Sequence, residues 1–337
     1  MEFGPVPLAQ AEGARLAHSL LLEDGGARLR KGRVLTAEDL ARMAQAGLAE
    51  VVVARLGPAD LDEDSAAQRL ARALVPDEAA AGLRLSGAFT GRVNLHARAP
   101  GLFVPDVAAV NAFNRVDPAI TLATLPPHAR VARGTLAATV KIIPYGVPAR
   151  AVDAACAAAA GAVSLQPVVL RRAGLVQSLV PGQPEKLNQK GLRAVRRRLA
   201  ALGMDLTAHR EVPHEVAAIA GALSELEGDV LLVLTGSATS DSCDTAPRAL
   251  VAAGGRLIRF GMPVDPGNLL FLGELGDCPV IGLPGSARSK VAHGVDWVLE
   301  RIACGIPVGS DDIALMGVGG LLKEIPTRPQ PREQRRG

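Results

Sequence analysis

An α/β fold built on a mostly parallel sheet is the class predicted for the C-terminal half of this chain, and three observations predict it. Short apolar runs such as Asp229 to Leu234 and Pro279 to Leu283 stop at Gly236 and at Pro284-Gly285, as strands buried on both faces do. Between such runs lie stretches with helical apolar spacing. The strand–helix alternation implies right-handed crossovers with helices on both faces, a three-layer α/β/α arrangement.

The N-terminal half reads differently, as an α+β region over residues 1–150 in one or two subdomains. An apolar stretch from Leu16 to Leu22 breaks at Gly25-Gly26. Thr36 and Asp39 then form a capping signature ahead of Leu40 and Met43, so a short helix ends at Gly47 and a strand follows at Val51–Ala54. His18, alone in an apolar run, is read as a packing residue. Asp62 to Leu74 has helical spacing. The clusters around Thr90–His96 and Asn111–Asp117 put Arg92, Asn94, Asn114, Arg115 and Asp117 forward either as pocket residues, since Arg is matched to phosphate, or as turn formers. Ala137 to Pro144 is a strand, placed at an edge because of Lys141. A boundary falls between Pro144 and Leu165, where Pro, Gly and a run of alanines intervene.

The second part covers residues 165–325. A strand starts at Val168, a basic amphipathic helix spans Glu185 to Leu202, an extended segment runs from Leu206 to Val212 and a helix from Pro213 to Leu226. The strand at Asp229 leads into a polar loop through Asp241 and Asp244, with Pro247 at a helix start. The Pro279 strand ends on Pro284-Gly285 and passes into a long amphipathic helix. Two loops therefore leave the carboxyl ends of neighbouring strands, where open α/β sheets bind ligands. Residues 326–337 read as a disordered basic tail.

Composition narrows the functional classes. The 337 residues carry a net charge of +3, and one Trp, one Tyr and six Phe leave few platforms for stacking bases, so nucleic acid is not an expected partner. The basic run Arg193 to Arg198 reads first as a solvated helix face. Cys156, Cys243, Cys278 and Cys304 form no C-x-x-C or zinc spacing, which favours a reducing compartment, and no stretch suits a bilayer. A cytoplasmic protein without a membrane partner is expected. No G-x-G-x-x-G and no P-loop motif occurs, which excludes the common dinucleotide and nucleotidase readings.

The stretch Thr235-Gly236-Ser237-Ala238-Thr239-Ser240-Asp241-Ser242-Cys243-Asp244-Thr245-Ala246-Pro247 resembles the T-G-G-T-G-x-x-x-R-D-x-T-P loop of the molybdopterin-binding domain family. Pro284-Gly285-Ser286-Ala287-Arg288-Ser289 is similar to that family's L-P-G-x-P-x-S signature, and Met262 to Asn268 resembles the K-P-G-K turn of its molybdenum-inserting branch. The three stand in the family's order. The resemblance implies a place in molybdenum cofactor synthesis, as in molybdopterin adenylyltransferase or molybdopterin molybdenumtransferase. It implies molybdopterin as ligand, Mg²⁺ and a nucleotide such as ATP in the adenylylating branch, and a homo-oligomer. The alternative is a carrier that hands cofactor to a molybdenum hydroxylase without chemistry.

Under that resemblance Thr235, Gly236, Ser237, Pro284, Gly285, Ser286, Arg288 and Ser289 are the cofactor-binding candidates. Gly285 lets the main chain approach a ligand, Ser286 can cap a helix whose first amides point at a phosphate, and Ser286, Arg288 and Ser289 are read as phosphate contacts in preference to mere parts of a helix start. Asp244 and Asp241 are the catalytic candidates, with Asp244 also the metal candidate. A carboxylate beside an anion needs such work, although Asp244 equally suits a helix cap. Asp265 and Asn268 stand where the inserting branch has lysines, and His214 where the adenylylating branch is acidic.

Overall fold

The computed structural model of the protein describes residues 1–22 and 28–322. The Gly25-Gly26 break and the basic tail lie outside the described residues. The chain divides into two compact units, Met1–Leu165 and Gln166–Gly337. Among the described residues no helix is long and apolar enough to cross a membrane.

In the first unit, Thr36 caps the helix Ala37–Gln45 as the sequence predicts: its hydroxyl accepts the Asp39 amide at 3.3 Å while the Asp39 carboxylate accepts the Thr36 amide at 3.2 Å. Strand Glu50–Arg55 pairs antiparallel with Glu2–Pro7 and with Arg15–Leu16. Leu16, Leu35, Met43, Val51 and Val53 form the core of this part. His18 sets its ring edge-on to Phe3, 6.3 Å between centroids.

A second cluster gathers around the helix Glu63–Leu74, whose Ala67, Leu70 and Leu74 face Val93, Leu95, Phe103, Phe113 and Val140. Two expectations change here. The strand Leu136–Ile142 is interior, lying between Arg92–Ala97 and Ile120–Thr124 in a four-stranded antiparallel sheet. Lys141 did not signal an edge, because its ammonium leaves the sheet to bond the Thr90 carbonyl beside Glu63. The alanine run expected between the two parts folds into the first unit as helix Ala149–Ala158 and strand Val163–Pro167, burying Val152, Ala155 and Val163. Asn114 brackets the Leu122 backbone at 2.8 and 2.9 Å, Asp117 accepts the Ala119 amide at 2.8 Å and Asn94 accepts the Thr139 hydroxyl at 2.9 Å. Those three side chains close turns and tie strands rather than line a pocket; Arg92 and Arg115 are exposed.

The second unit is organised by a six-stranded sheet, in the order Asp205–Pro213, Arg172–Leu179, Val230–Leu234, Cys278–Leu283, Phe271–Leu275, Arg256–Phe260. The first four strands run parallel and Phe271–Leu275 runs against them. All five residues of Val230–Leu234 are buried, which explains its unbroken apolar composition. Successive side chains take opposite faces. Leu231 and Val233 join Ile219, Leu223, Ala249 and Leu250 from the helices Val216–Glu225 and Thr245–Ala252, while Leu234 lies against Gly191 of the helix Glu185–Ala200.

One helix start differs from expectation. After Pro284 the chain makes a single 3-10 turn, Gly285–Arg288, and the α-helix begins only at Gly294. His293 is its cap: the imidazole Nδ1 accepts the Val295 amide at 3.1 Å and Asp296 accepts the His293 amide at 3.0 Å. Ser286 therefore caps no helix.

A Cβ added at Gly282 would sit 2.0 Å from the Phe271 ring on the adjacent strand. Gly282→Ala is expected to cost about 1–3 kcal/mol through overpacking, read as a lower urea midpoint with an unchanged slope.

Candidate functional site

Val230–Leu234 and Cys278–Leu283 pair in parallel with Leu234 opposite Leu283, so the loops beginning at Thr235 and at Pro284 leave the same sheet edge side by side. Gly236 is required at the first of them. A Cβ there would meet the Ser178 carbonyl at 2.7 Å. Its amide donates to the Ser178 hydroxyl oxygen at 3.1 Å, and that hydroxyl lies 2.8 Å from Nδ1 of His214. Thr235 is buried and turns its hydroxyl onto the Ser237 carbonyl at 2.6 Å; Ser237 itself is exposed.

Asp244 caps the helix Thr245–Ala252, with its two oxygens accepting the amides of Thr245 at 2.7 Å and Ser240 at 2.9 Å. The Ser240 amide first and the Thr245 amide next hold its carboxyl below the usual carboxylate range; burial opposes them and His214 adds a small attraction. Asp241 turns one oxygen onto the Cys243 amide at 2.7 Å, an Asx turn. Both carboxylates serve the loop's own backbone.

The second loop is organised by two arginines. Arg198, on the helix Glu185–Ala200, donates to the Ala287 carbonyl at 2.6 Å, to the Ser289 carbonyl at 3.3 Å and to Asp296 at 2.7 Å. Arg288 is 7% exposed and points back into the unit, donating to the Thr235 carbonyl at 2.7 Å. That bond ties the two loops directly. No carboxylate pairs with Arg288 among the described residues, its Nε has no hydrogen-bond partner, and burial lowers its pKa from the ordinary guanidinium value. Ser286 is exposed and its hydroxyl meets Nε2 of His293 at 2.9 Å; Ser289 closes the turn with its amide on the Ser286 carbonyl at 2.9 Å. Gly285 is partly exposed beside Arg288, and Pro284 is buried.

Beside Arg288 opens a cavity of about 480 Å³ lined by Lys190, Arg193, Ala194, Arg197, Arg288 and Lys290. The basic run read as a solvated face thus has two functions: Arg193 and Arg197 wall a cavity, whereas Arg198 is an internal brace. A signal was present, since residues 190, 193 and 197 fall on one helical face. What the sequence could not place was the turn opposite them. Neither Asp244 nor Asp241 lines this cavity. The Ser178–His214 pair and His293 were also missed, because each depends on contacts between segments far apart in the chain.

The third turn, Met262 to Asn268, is held internally. Asn268 donates its side-chain amide to the Met262 carbonyl at 3.2 Å and accepts the Met262 amide on its own carbonyl at 3.0 Å. The Pro266 carbonyl accepts the Gly294 amide at 2.9 Å, which docks this turn onto the helix that His293 caps.

Comparison with known proteins gives low-identity matches. A family described as a domain of unknown function (DUF8806) matches residues 5–55. No curated protein matches. Among solved structures, the chain is similar to a molybdopterin biosynthesis moea protein from Pyrococcus horikosii, at 12% identity over 90% of this chain and 75% of that one, with a TM-score of 0.31. It is also similar to molybdenum cofactor biosynthesis protein B, at 17% identity over 40% of this chain and 88% of that one, TM-score 0.29. A molybdenum cofactor biosynthesis protein from Pyrococcus furiosus matches at 12% identity over 91% and 66% of the two chains, TM-score 0.22. Likeness at this level assigns no role to any residue.

His293 is fully buried, and burial with the nearby Arg198 cation pushes its pKa down to about 4, against Asp296 and Asp265. Its folded value lies below the unfolded one, so the unfolded chain binds the extra proton. The stabilisation is complete above about pH 6.5 and is lost as pH falls toward 4. His293→Asn keeps a capping side chain and is expected to remove about 2 kcal/mol of that pH dependence, seen by comparing urea midpoints of the two proteins at pH 7 and pH 4.5.

Proposed function

We propose that residues 165–325 form a molybdopterin-binding domain of three-layer α/β/α type acting in molybdenum cofactor synthesis or delivery. The observation that carries this is the Arg288–Thr235 bond at 2.7 Å, which brings the two signature-like loops together at one sheet edge beside a buried cation that has no counter-charge among the described residues. The resemblance of the three motifs suggests the ligand, and the cationic turn supports the reading that its phosphate is held there.

The residues fit the phosphate of molybdopterin. Arg288 holds uncompensated charge, and Ser286 and Lys290 are exposed around the turn. The exposed Ser237 sits on the facing loop for the polar edge of the ring. When bound, the cofactor would supply the dithiolene sulfurs that take the metal; the protein's work is to fix the phosphate end and exclude alternatives. Mg²⁺ fits less well. Among the described residues no three His, Cys, Asp or Glu come together, and both Asp244 oxygens already accept amides. No step is therefore assigned to a metal.

Two readings of activity remain within this proposal. One is enzymatic: adenylyl transfer to molybdopterin, consuming ATP, or molybdenum insertion, with Asp244 and Asp241 as catalytic groups. The other is a carrier that delivers cofactor to a molybdenum hydroxylase. The capping geometry of Asp244, the internal bonding of Asn268 and the acidic Asp265 in place of a lysine favour the carrier, since an aspartate repels molybdate.

Purified protein titrated with molybdopterin is expected to bind it saturably, and absence of binding removes the whole reading. Consumption of ATP or molybdate in that mixture selects the enzyme; binding without turnover selects the carrier. Asp244→Ala is expected to lose about 1 kcal/mol of stability as a missing cap, and Asp244→Asn a smaller part of it, since its amide oxygen keeps one of the two bonds while its NH2 cannot accept the other amide. If Asp244→Asn abolishes turnover while losing no more stability than Asp244→Ala, the carboxylate has a catalytic duty beyond the cap.

A further inference from the structure

Three exposed cations, Lys190, Arg193 and Arg197, recur on one face of the helix Glu185–Ala200, and Lys290 and the buried Arg288 close over them from the turn after Pro284. At 1.5 Å rise per residue, the row from residue 190 to 197 extends about 10 Å. No acidic residue lines the cavity, and none of its five cations has an ion-pair partner among the described residues.

Helix stability does not account for this arrangement. Cations near a helix C-terminus are favourable, which covers Arg197 and Arg198. It does not cover Lys190 at mid-helix, nor two further cations brought to the same place by a different segment. Like charges three and four residues apart are mildly unfavourable. Arg288 adds a larger cost: a guanidinium 7% exposed, with carbonyls of Thr235 and Gly285 as its only acceptors among the described residues and Nε unsatisfied. An anion in the cavity would offset both.

We propose that this cavity binds a small molecule carrying two or more phosphates in a row. The row of charges is longer than one phosphate needs, so a linear oligophosphate engages several cations where monophosphate engages few. The lining has no aromatic side chain on which a base could stack, and Ala194 is its sole apolar residue, which suits neither single-stranded nucleic acid nor a membrane surface. Arg193 and Arg197 provide forked donors matched to phosphate oxygens, and Lys190 and Lys290 provide point charges at the rim. Arg288 and Lys290 are shared with the molybdopterin reading; Lys190, Arg193 and Arg197 are not, and the inference rests on those helix cations.

Calorimetric titration of the full chain at low ionic strength with phosphate, pyrophosphate and tripolyphosphate tests it. Affinity is expected to rise along that series and to fall with added salt. Arg193→Gln/Arg197→Gln removes two exposed cations from the wall and is expected to weaken tripolyphosphate by about tenfold or more. Arg196→Gln, an exposed neighbour outside the lining, should leave it within about twofold. The proposal is overturned by no saturable binding of tripolyphosphate, or by equal losses per charge in the double variant and in Arg196→Gln. Tighter binding of an RNA oligomer or polyglutamate with the same variant dependence also overturns it, in favour of a macromolecular partner. Loss of molybdopterin binding with tripolyphosphate affinity intact would strike the earlier reading alone.

Discussion

The bond from Arg288 to the Thr235 carbonyl is the constraint on which the rest of the site depends. Parallel pairing brings the ends of Val230–Leu234 and Cys278–Leu283 side by side, but it leaves the loops beyond them free to diverge. Arg288 joins them. It reaches inward, past Gly191, whose missing side chain leaves room for it, to a carbonyl at the end of the neighbouring strand. Arg198 then clamps the outer side of the same turn through the Ala287 and Ser289 carbonyls. Two cations thus hold a four-residue turn that has no α-helix of its own to stabilise it.

This division of labour separates the charges. The acidic side chains of the first loop are consumed by amides: Asp244 by Ser240 and Thr245, Asp241 by Cys243. The cations of the second loop are left over. Burial of a carboxylate among amides costs little because each oxygen keeps its acceptor role satisfied. Burial of a guanidinium with two carbonyls and no carboxylate leaves net positive potential, which nearby Lys190, Arg193, Arg197 and Lys290 reinforce rather than relieve. The first loop is thereby an architectural element and the second an electrostatic one.

Much of the framework was legible because it rests on local rules. The Thr36 cap, the helix Glu63–Leu74 and the buried strand Val230–Leu234 each follow from spacing and capping chemistry within a few residues. The two strand ends were legible too, since Gly236 and Pro284-Gly285 stop apolar runs. What failed was nonlocal. Lys141 reads as an edge marker because the Thr90 carbonyl that receives its ammonium lies 51 residues away in sequence. Ser286 reads as a cap in sequence because the real one, His293, has a side chain seldom used that way and meets Ser286 only after the turn folds back. A run of arginines looked uniform in sequence, yet Arg196 is exposed outside the cavity, Arg197 lines it and Arg198 is bonded inward.

Those three neighbouring arginines show how the helical period converts composition into function. Successive positions differ by about 100°, so one residue of the run must face the turn, one its flank and one away. Only the inward position finds carbonyls and Asp296 to satisfy it. The same geometry places Gly191 beneath Arg288, where an added Cβ would come within 2.6 Å of Leu234 and 3.5 Å of the Arg288 side chain. A glycine and an arginine seven residues apart on one helix therefore set the position of a turn nearly a hundred residues downstream. The buried charge stays where it is because both the space for it and the brace against it come from that one helix.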